Sequence, residues 1–203
     1  MIEQLEQAAR RPVSRETFER LEAFVALLKI ANEQQNLVSA STLVDVWSRH
    51  ILDSVQLARF EPHAGASWAD VGSGAGLPGI VIACLVEGPV TLIEPRRLRA
   101  DFLQMAVERL GLNATVATTK VERVHGQYGV ITARAVASLA HFLEISLHLS
   151  TRNTVWALPK GRRAHSELVE AQRAWQGVFH VEQSVTDAES YIVVGTGVRA
   201  RAR

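Results

Sequence analysis

A single cysteine, Cys84, occurs in the 203 residues, so no disulfide can form within the chain and no cysteine-based zinc site can be built. It lies in Ile80-Val81-Ile82-Ala83-Cys84-Leu85-Val86, where it reads as a small core residue rather than a reactive thiol. Long hydrophobic runs are also missing. The longest, Leu77 to Val86, contains Pro78 and Gly79 and is far shorter than the roughly 20 residues of a membrane-spanning helix. The N-terminal MIEQLEQAARR lacks an apolar signal core. Together these absences predict a cytoplasmic protein that makes no membrane contact. Charge of one sign is scarce as well. A formal net charge of +1 announces no nucleic-acid partner, which must be sought in local clusters. Repeats, low-complexity segments and flexible linkers are not seen.

What is present describes an ordinary globular chain, 47% apolar and 21% charged, long enough for one domain with a short appendage. Two helical patterns come first. Ser14 is a candidate N-cap, followed by Phe18, Leu21, Val25 and Leu28 at helical spacing. Ser41 or Thr42 then opens a second helix with Val44, Trp47, Ile51, Val55 and Ala58 on one side, ended by Pro62 and Gly65. From Ser67 the rhythm alternates. Strand-like runs fall at Ser67–Val71, Val90–Glu94, Thr115–Thr118, Tyr128–Ala133 and Asn153–Leu158, with helical patterns at Leu77–Val86, Leu98–Leu110 and Leu139–Leu149 between them. This order predicts a parallel α/β sheet with helices on both faces. A helix over Arg163–Trp175 precedes two closing runs, Val178–Ser184 and Ser190–Gly195, which a short loop pairs antiparallel. The organisation is a helical N-terminal cap, residues 1–62, packed on an α/β unit of residues 63–203.

The strongest motif is Asp70-Val71-Gly72-Ser73-Gly74-Ala75-Gly76-Leu77-Pro78-Gly79, where the first strand turns into the first helix of the sheet. Alternate glycines permit unusual backbone angles and close approach of a ligand to the main chain. Such a turn suits an adenosine-containing cofactor. Gly74, Gly76 and Gly79 also satisfy the dinucleotide pattern, whose pyrophosphate sits at a helix N-terminus. Asp70 shifts the balance, since a carboxylate there repels pyrophosphate and attracts the cationic end of S-adenosylmethionine. Glu94 closes the second strand and can accept hydrogen bonds from both ribose hydroxyls, which the two cofactors share. Lys120-Val121-Glu122 follows the third strand, at the place where such folds often hold an adenine ring.

With these segments in view, the sequence resembles the glucose-inhibited division protein B family, the small-subunit rRNA guanine-N7 methyltransferases. The likeness runs from about Asn36 to Gly195 and rests on Arg49-His50-Ile51-Leu52-Asp53-Ser54, the glycine loop, and Ala133-Arg134-Ala135-Val136-Ala137-Ser138-Leu139 in that order. Asn36-Leu37-Val38-Ser39, Val121-Glu122 and Lys160-Gly161 extend it. The resemblance implies a seven-strand, Rossmann-like class I methyltransferase sheet with S-adenosylmethionine as donor. It further implies methylation of one guanine N7 in the decoding region of 16S rRNA, on the small ribosomal subunit. Donor contacts then fall on Gly72, Leu77, Val121, Glu122 and Arg134. The sequence departs from the family in Pro159 before Lys160 and in the arginine-rich end, Gly195 to Arg203, which reads as a frayed tail.

Guanine N7 carries a lone pair and no proton, so transfer of a methyl group to it needs positioning rather than a general base. The residues required are binders. Arg134, after the fourth strand, faces the crevice at the sheet's C-terminal edge and can grip a phosphate, the donor's carboxylate, or O6 of the target base. Lys160 occupies the same edge. His50 and Asp53 share a helical face three residues apart and can orient RNA or latch the cap onto the glycine loop. Arg96, Arg97 and Arg162 belong to basic clusters that project from that edge, where an RNA backbone would lie; Arg199, Arg201 and Arg203 form a third cluster. Trp47, Trp68, Trp156 and Trp175 read as core rather than as base-stacking platforms. Nothing calls for a metal, and the chain is expected to act as a monomer. Two other readings remain open here: an NAD-dependent oxidoreductase built on Gly74, Gly76 and Gly79, and a non-catalytic RNA- or ribosome-binding module.

Overall fold

The computed structural model describes residues 1–134 and 137–202. Ala135 and Val136 of the motif around Arg134, and Arg203 of the terminal cluster, lie outside the described residues. The chain opens with α1 (Ile2–Ala9) and α2 (Arg15–Gln35). Sequence patterning passes over α1, which buries Leu5, Ala8 and Ala9 but at eight residues is shorter than the window over which helical periodicity is read. Ser14 caps α2 as expected, its hydroxyl accepting from Thr17 N at 3.0 Å.

The second expected helix is broken instead into short pieces. Ser39, rather than Ser41 or Thr42, caps α3 (Ala40–Leu43), because its extended backbone turns its hydroxyl onto Thr42 N. A π-turn over Trp47–Leu52, α4 (Asp53–Val55) and a 3-10 turn over Gln56–Phe60 follow. The wider turn shifts the face of the helix, as π-bulges do near functional groups. Ile51, Val55 and Ala58 are buried, whereas Val44 is exposed.

The remainder forms seven strands: β1 (Trp68–Val71), β2 (Val90–Ile93), β3 (Ala114–Ala117), β4 (Val130–Thr132), β5 (Val155–Lys160), β6 (Trp175–Gln183) and β7 (Tyr191–Ala200). Between them run α5 (Gly79–Leu85), α6 (Arg97–Leu110), α7 (Leu139–Ser146) and α8 (Ala164–Ala171). Strand order is β3-β2-β1-β4-β5-β7-β6, parallel except for β7, which pairs antiparallel with β5 and β6. Every residue of β1 is buried, as befits a central strand covered on both faces.

One face of the sheet packs on α5, α6 and the cap: Leu21, Phe24 and Leu28 of α2 share a core with Ile80, Val81, Phe102 and Leu103. The other face packs on α7 and α8 around Phe142, Leu143, Trp156 and Trp175. Trp68 joins Trp156 and Trp175 in the interior, while half-buried Trp47 stacks on Phe18 with centroids 5.5 Å apart. Cys84 is buried and its thiol is pushed up to about 12 by that burial, so the core reading stands.

Two expected boundaries are corrected. The helix expected over Arg163–Trp175 ends at Ala171, and Trp175 begins β6 with its ring in the core. The arginine-rich end is no frayed tail as far as Arg201: Gly195 to Ala200 are part of β7, and Arg201 N donates to Ala174 O at 2.8 Å. Its alternation of small and charged residues hides a strand whose partner lies some twenty residues earlier, in β6.

Candidate active site

Strand order reverses between β1 and β4, and the crevice of an open α/β sheet lies at such a switch point. The glycine loop leaves β1 there. Gly72, Gly74 and Gly76 have φ of 72°, 51° and 82°, values that side chains rarely tolerate. Gly72 N and Ser73 N donate to Ile93 O, fastening the loop to β2. The glycines then divide the work. A Cβ on Gly74 would stand 3.6 Å from Arg99 Nη1, an ordinary contact on the crevice side. One on Gly76 would meet Ile80 at 2.7 Å and Phe24 at 3.2 Å, so Gly76 lets the cap helix settle onto the loop. One on Gly79 would collide with Leu92 and lie 2.5 Å from Asp70 Oδ2, so Gly79 allows α5 to press on the sheet.

The crevice has a volume of about 340 Å³, and its walls include Leu37, Gly72, Gly74, Leu77, Glu94 and Arg134, with Arg96 and Arg99 on one side. Glu94 is 3% exposed and fully engaged on its protein side, Oε2 accepting from Gly74 N at 3.0 Å and Oε1 from Arg96 N at 2.8 Å. Each oxygen keeps a further lone pair, enough for two neighbouring hydroxyls.

Asp70 is not a wall. It is 1% exposed, its Oδ2 accepts from Gly79 N at 3.1 Å, and burial raises its carboxyl to about 6. The expected electrostatic greeting of a cationic cofactor is therefore replaced by a structural effect: Asp70 occupies the amide at the start of α5. Val121 and Glu122 form a 3-10 turn with Arg123, Val121 buried in the core and Glu122 exposed, and neither is among the crevice walls.

Arg134 follows β4 and reaches back to the cap. Its Nη1 lies 3.2 Å from His50 Nδ1 and 3.7 Å from Asp53 Oδ2. Because guanidinium only donates, His50 Nδ1 accepts, and Nε2 carries the proton toward Thr42 Oγ1 at 3.0 Å. His50 is 8% exposed, and burial together with the Arg134 and Arg49 charges lowers it to about 4, so the ring is neutral. With both nitrogens engaged it serves as a bracket for Arg134 and has no lone pair free to take a proton. The latch expected from the His50–Asp53 spacing thus closes on Arg134 and on the β6–β7 loop, rather than on the glycine loop. Asp53 Oδ1 accepts from Gln56 Nε2 at 2.9 Å and Thr186 Oγ1 at 3.0 Å, and Gln56 also bonds Ser184.

Gln56, Ser184 and Thr186 escaped sequence reasoning, since a lone hydroxyl or amide gives no pattern, and Thr42 reads in the sequence only as a helix opener rather than as the partner of His50. The one available signal was Gln56, a polar residue between Val55 and Leu57.

Lys160 ends β5 rather than following it. Its Nζ donates to Ala137 O at 2.9 Å and to Glu167 Oε2 at 3.0 Å, so it fixes the chain beyond Arg134. A second cavity of about 310 Å³ lies here, walled by Asp53, Arg134, Pro159, Lys160, Glu167 and Tyr191 among others. Arg134 therefore stands between the two hollows. Arg96 and Arg97 are exposed at the start of α6, and exposed Arg162 pairs with Glu189. Arg96 and Arg97 follow β2, whose end walls the crevice, whereas Arg162 follows β5, whose end walls the second cavity.

Solved structures share the architecture. A SAM-dependent methyltransferase from Aquifex aeolicus superposes with TM-score 0.61 at 15% identity over 75% of this chain and 93% of that one. TYW2 of M. jannaschii, solved in complex with AdoMet, gives 0.56 at 14% over 75% and 76%. Sequence relatives are far nearer. The small-subunit rRNA methyltransferase G of Sphingopyxis alaskensis is 48% identical over 187 residues, 91% of this chain and 80% of that protein. Its counterpart in Zymomonas mobilis is 44% identical over 198 residues, 93% of this chain and 90% of that protein. The family model described as rRNA small subunit methyltransferase G matches residues 17–192. The chain belongs to the rRNA small subunit methyltransferase G family.

Proposed function

We propose that this protein transfers a methyl group from S-adenosylmethionine to N7 of a guanine in the decoding region of 16S rRNA. The observation that carries the reading is the position of Arg134, which walls both the crevice beside the glycine loop and the second cavity. A donor in one and a base in the other would meet across it.

The crevice suits the donor: the Glu94 carboxylate offers acceptors for two ribose hydroxyls, and Gly74 leaves its floor open. When bound, S-adenosylmethionine supplies an electrophilic methyl on a positively charged sulfur. Gly72, Gly74, Leu77 and Glu94 would hold it, with Val121 and Glu122 toward its adenine end. Arg134, braced by His50, would fix the donor's carboxylate or O6 of the base while leaving N7 free.

Collinear positioning of this kind lowers a barrier by roughly 7–11 kcal/mol. A base is not needed, and the neutral, doubly engaged His50 agrees with that. An NAD reading is disfavoured because Asp70 already holds the Gly79 amide, where a pyrophosphate would bind. Arg96, Arg97 and Arg162 would contact the RNA backbone. In this reading residues 1–62 cap the catalytic unit of residues 63–203, and the protein works in the cytoplasm as a monomer without a metal.

The test is incubation of the protein with labelled S-adenosylmethionine and small ribosomal subunits lacking the modification, followed by mass mapping of 16S rRNA. A single new N7-methylguanine is expected. Donor binding without transfer would instead identify a binding module.

A further inference from the structure

We propose that the second cavity receives the target guanine and that Asp53 selects guanine over adenine. This rests on the functional reading above and adds to it the residue that reads the base. The cavity, about 310 Å³, falls at the small end of ligand pockets, which span roughly 300–1,000 Å³. Its charged walls are Asp53, Arg134, Lys160 and Glu167. Lys160 and Glu167 satisfy each other, and Glu167 Oε2 also accepts from Leu139 N at 3.1 Å.

Asp53 and Arg134 are differently placed. Asp53 Oδ1 is fixed by Gln56 and Thr186, whereas Oδ2 faces Arg134 Nη1 at 3.7 Å, longer than a hydrogen bond. The two form an ion pair too long to be a close hydrogen bond, so an N–H donor stands beside a carboxylate acceptor and both keep capacity for a base.

Guanine offers the complement on adjacent atoms: O6 accepts and N1–H donates. Adenine reverses both, with an N6 amino donor where guanine has O6 and a bare N1 acceptor. A guanine would set O6 against Arg134 and N1–H against Asp53 Oδ2, whereas an adenine would put donor against donor and lone pair against lone pair. Sites built to hydrogen-bond one pattern reject the other strongly, because their own buried groups are left unpaired. Pro159 and Tyr191 add apolar surface to the cavity, and Tyr191 packs edge-on against His165 with centroids 5.2 Å apart. Because Gln56 and Thr186 hold Oδ1, the carboxylate cannot turn away.

The test uses the full chain and reconstituted small subunits carrying either guanosine or adenosine at the target position. Single-turnover methylation is measured for each, with donor affinity measured in parallel. Wild type should prefer guanosine by on the order of 1,000-fold or more. In Asp53→Asn the donors Gln56 and Thr186 keep the carbonyl oxygen in the Oδ1 place, so the amide NH2 takes the place of Oδ2. Guanosine turnover should then drop about 100-fold and the preference collapse by at least that factor, with donor affinity within about threefold of wild type. Should Asp53→Asn not fold, Thr186→Val, which loosens the carboxylate without removing it, should reduce the preference about fivefold. An unchanged guanosine-to-adenosine ratio in the folded variant overturns the assignment and leaves Asp53 as a positioning residue for Arg134. A wild-type protein that methylates neither substrate would refute the functional reading itself, which is a separate outcome.

Discussion

Arg134 Nη1 donates to His50 Nδ1 at 3.2 Å, joining the end of β4 to a residue 84 positions earlier in the cap. His50 in turn is tied to Thr42 at 3.0 Å, so the orientation of one guanidinium depends on two cap segments. Arg134→Lys should therefore fail to restore what Arg134→Ala loses, since a point charge cannot keep the His50 contact and also face the crevice. Turnover should fall by about 100-fold or more in both variants, a loss typical of a misplaced reacting group. Near-normal single-turnover rates in Arg134→Lys would remove the planar fork from the mechanism.

His50 sets a pH dependence of stability. Its folded value of about 4 lies below the ordinary 6.5, so between those values the unfolded chain binds a proton that the folded one does not. Stability then rises with pH across that window and is lost as pH falls through it. The loss should reach on the order of 2 kcal/mol toward pH 4.5 and be absent in His50→Gln. Asp70 works in the opposite sense. Its folded value of about 6 lies above the ordinary 3.8, so its burial costs stability as pH rises between them, and Asp70→Asn should remove that opposing slope. Denaturant titrations of the two variants at several pH values separate the contributions.

The glycines should fail in different ways. Gly79→Ala collides with Leu92 and Asp70 and should destabilise the fold by about 1–3 kcal/mol, as overpacking does. Gly74→Val should lose stability through backbone strain at φ 51° rather than through collision, because a Cβ there meets only ordinary contacts, and it should abolish donor binding from the crevice side. A Gly74→Val variant with wild-type donor affinity by calorimetry would show that the loop is not the cradle.

Glu94→Ala should weaken donor binding by about 1–3 kcal/mol and destabilise the protein by a similar amount. The second effect follows from the lost bonds to Gly74 N and Arg96 N, which a solvated strand-end carboxylate would not make. Calorimetry and denaturant unfolding read the two separately. A fall in stability with unchanged donor affinity would confine Glu94 to holding the loop.

If Arg96 and Arg97 touch phosphates, removing either should flatten the plot of log affinity against log salt by about one unit while leaving donor binding unchanged. The exposed Arg162–Glu189 pair is worth little by itself, so Arg162 should be free to exchange its partner for RNA and behave the same way. Unchanged slopes would make these arginines solvated surface.

The sequence by itself determined the sheet, the glycine loop and the placement of Glu94 and Arg134. These follow from local rules: strands alternate with helices, a tight turn needs glycine at positive φ, and strand ends at a switch point face one crevice. The family followed from motif order. Only the tertiary structure decided what each side chain does there. Asp70 is a carboxylate beside the loop in either view, but whether it meets a ligand or the Gly79 amide depends on how closely α5 presses on β1. The spacing of His50 and Asp53 marks a shared face, yet a π-turn and the distant β6–β7 loop determine that the face closes on Arg134. Arg199 looks like part of a tail until Gln176 of β6 gives it a partner. Hydrogen bonds between residues more than a hundred positions apart leave no periodicity in the chain, because they are selected by packing after the local elements have formed.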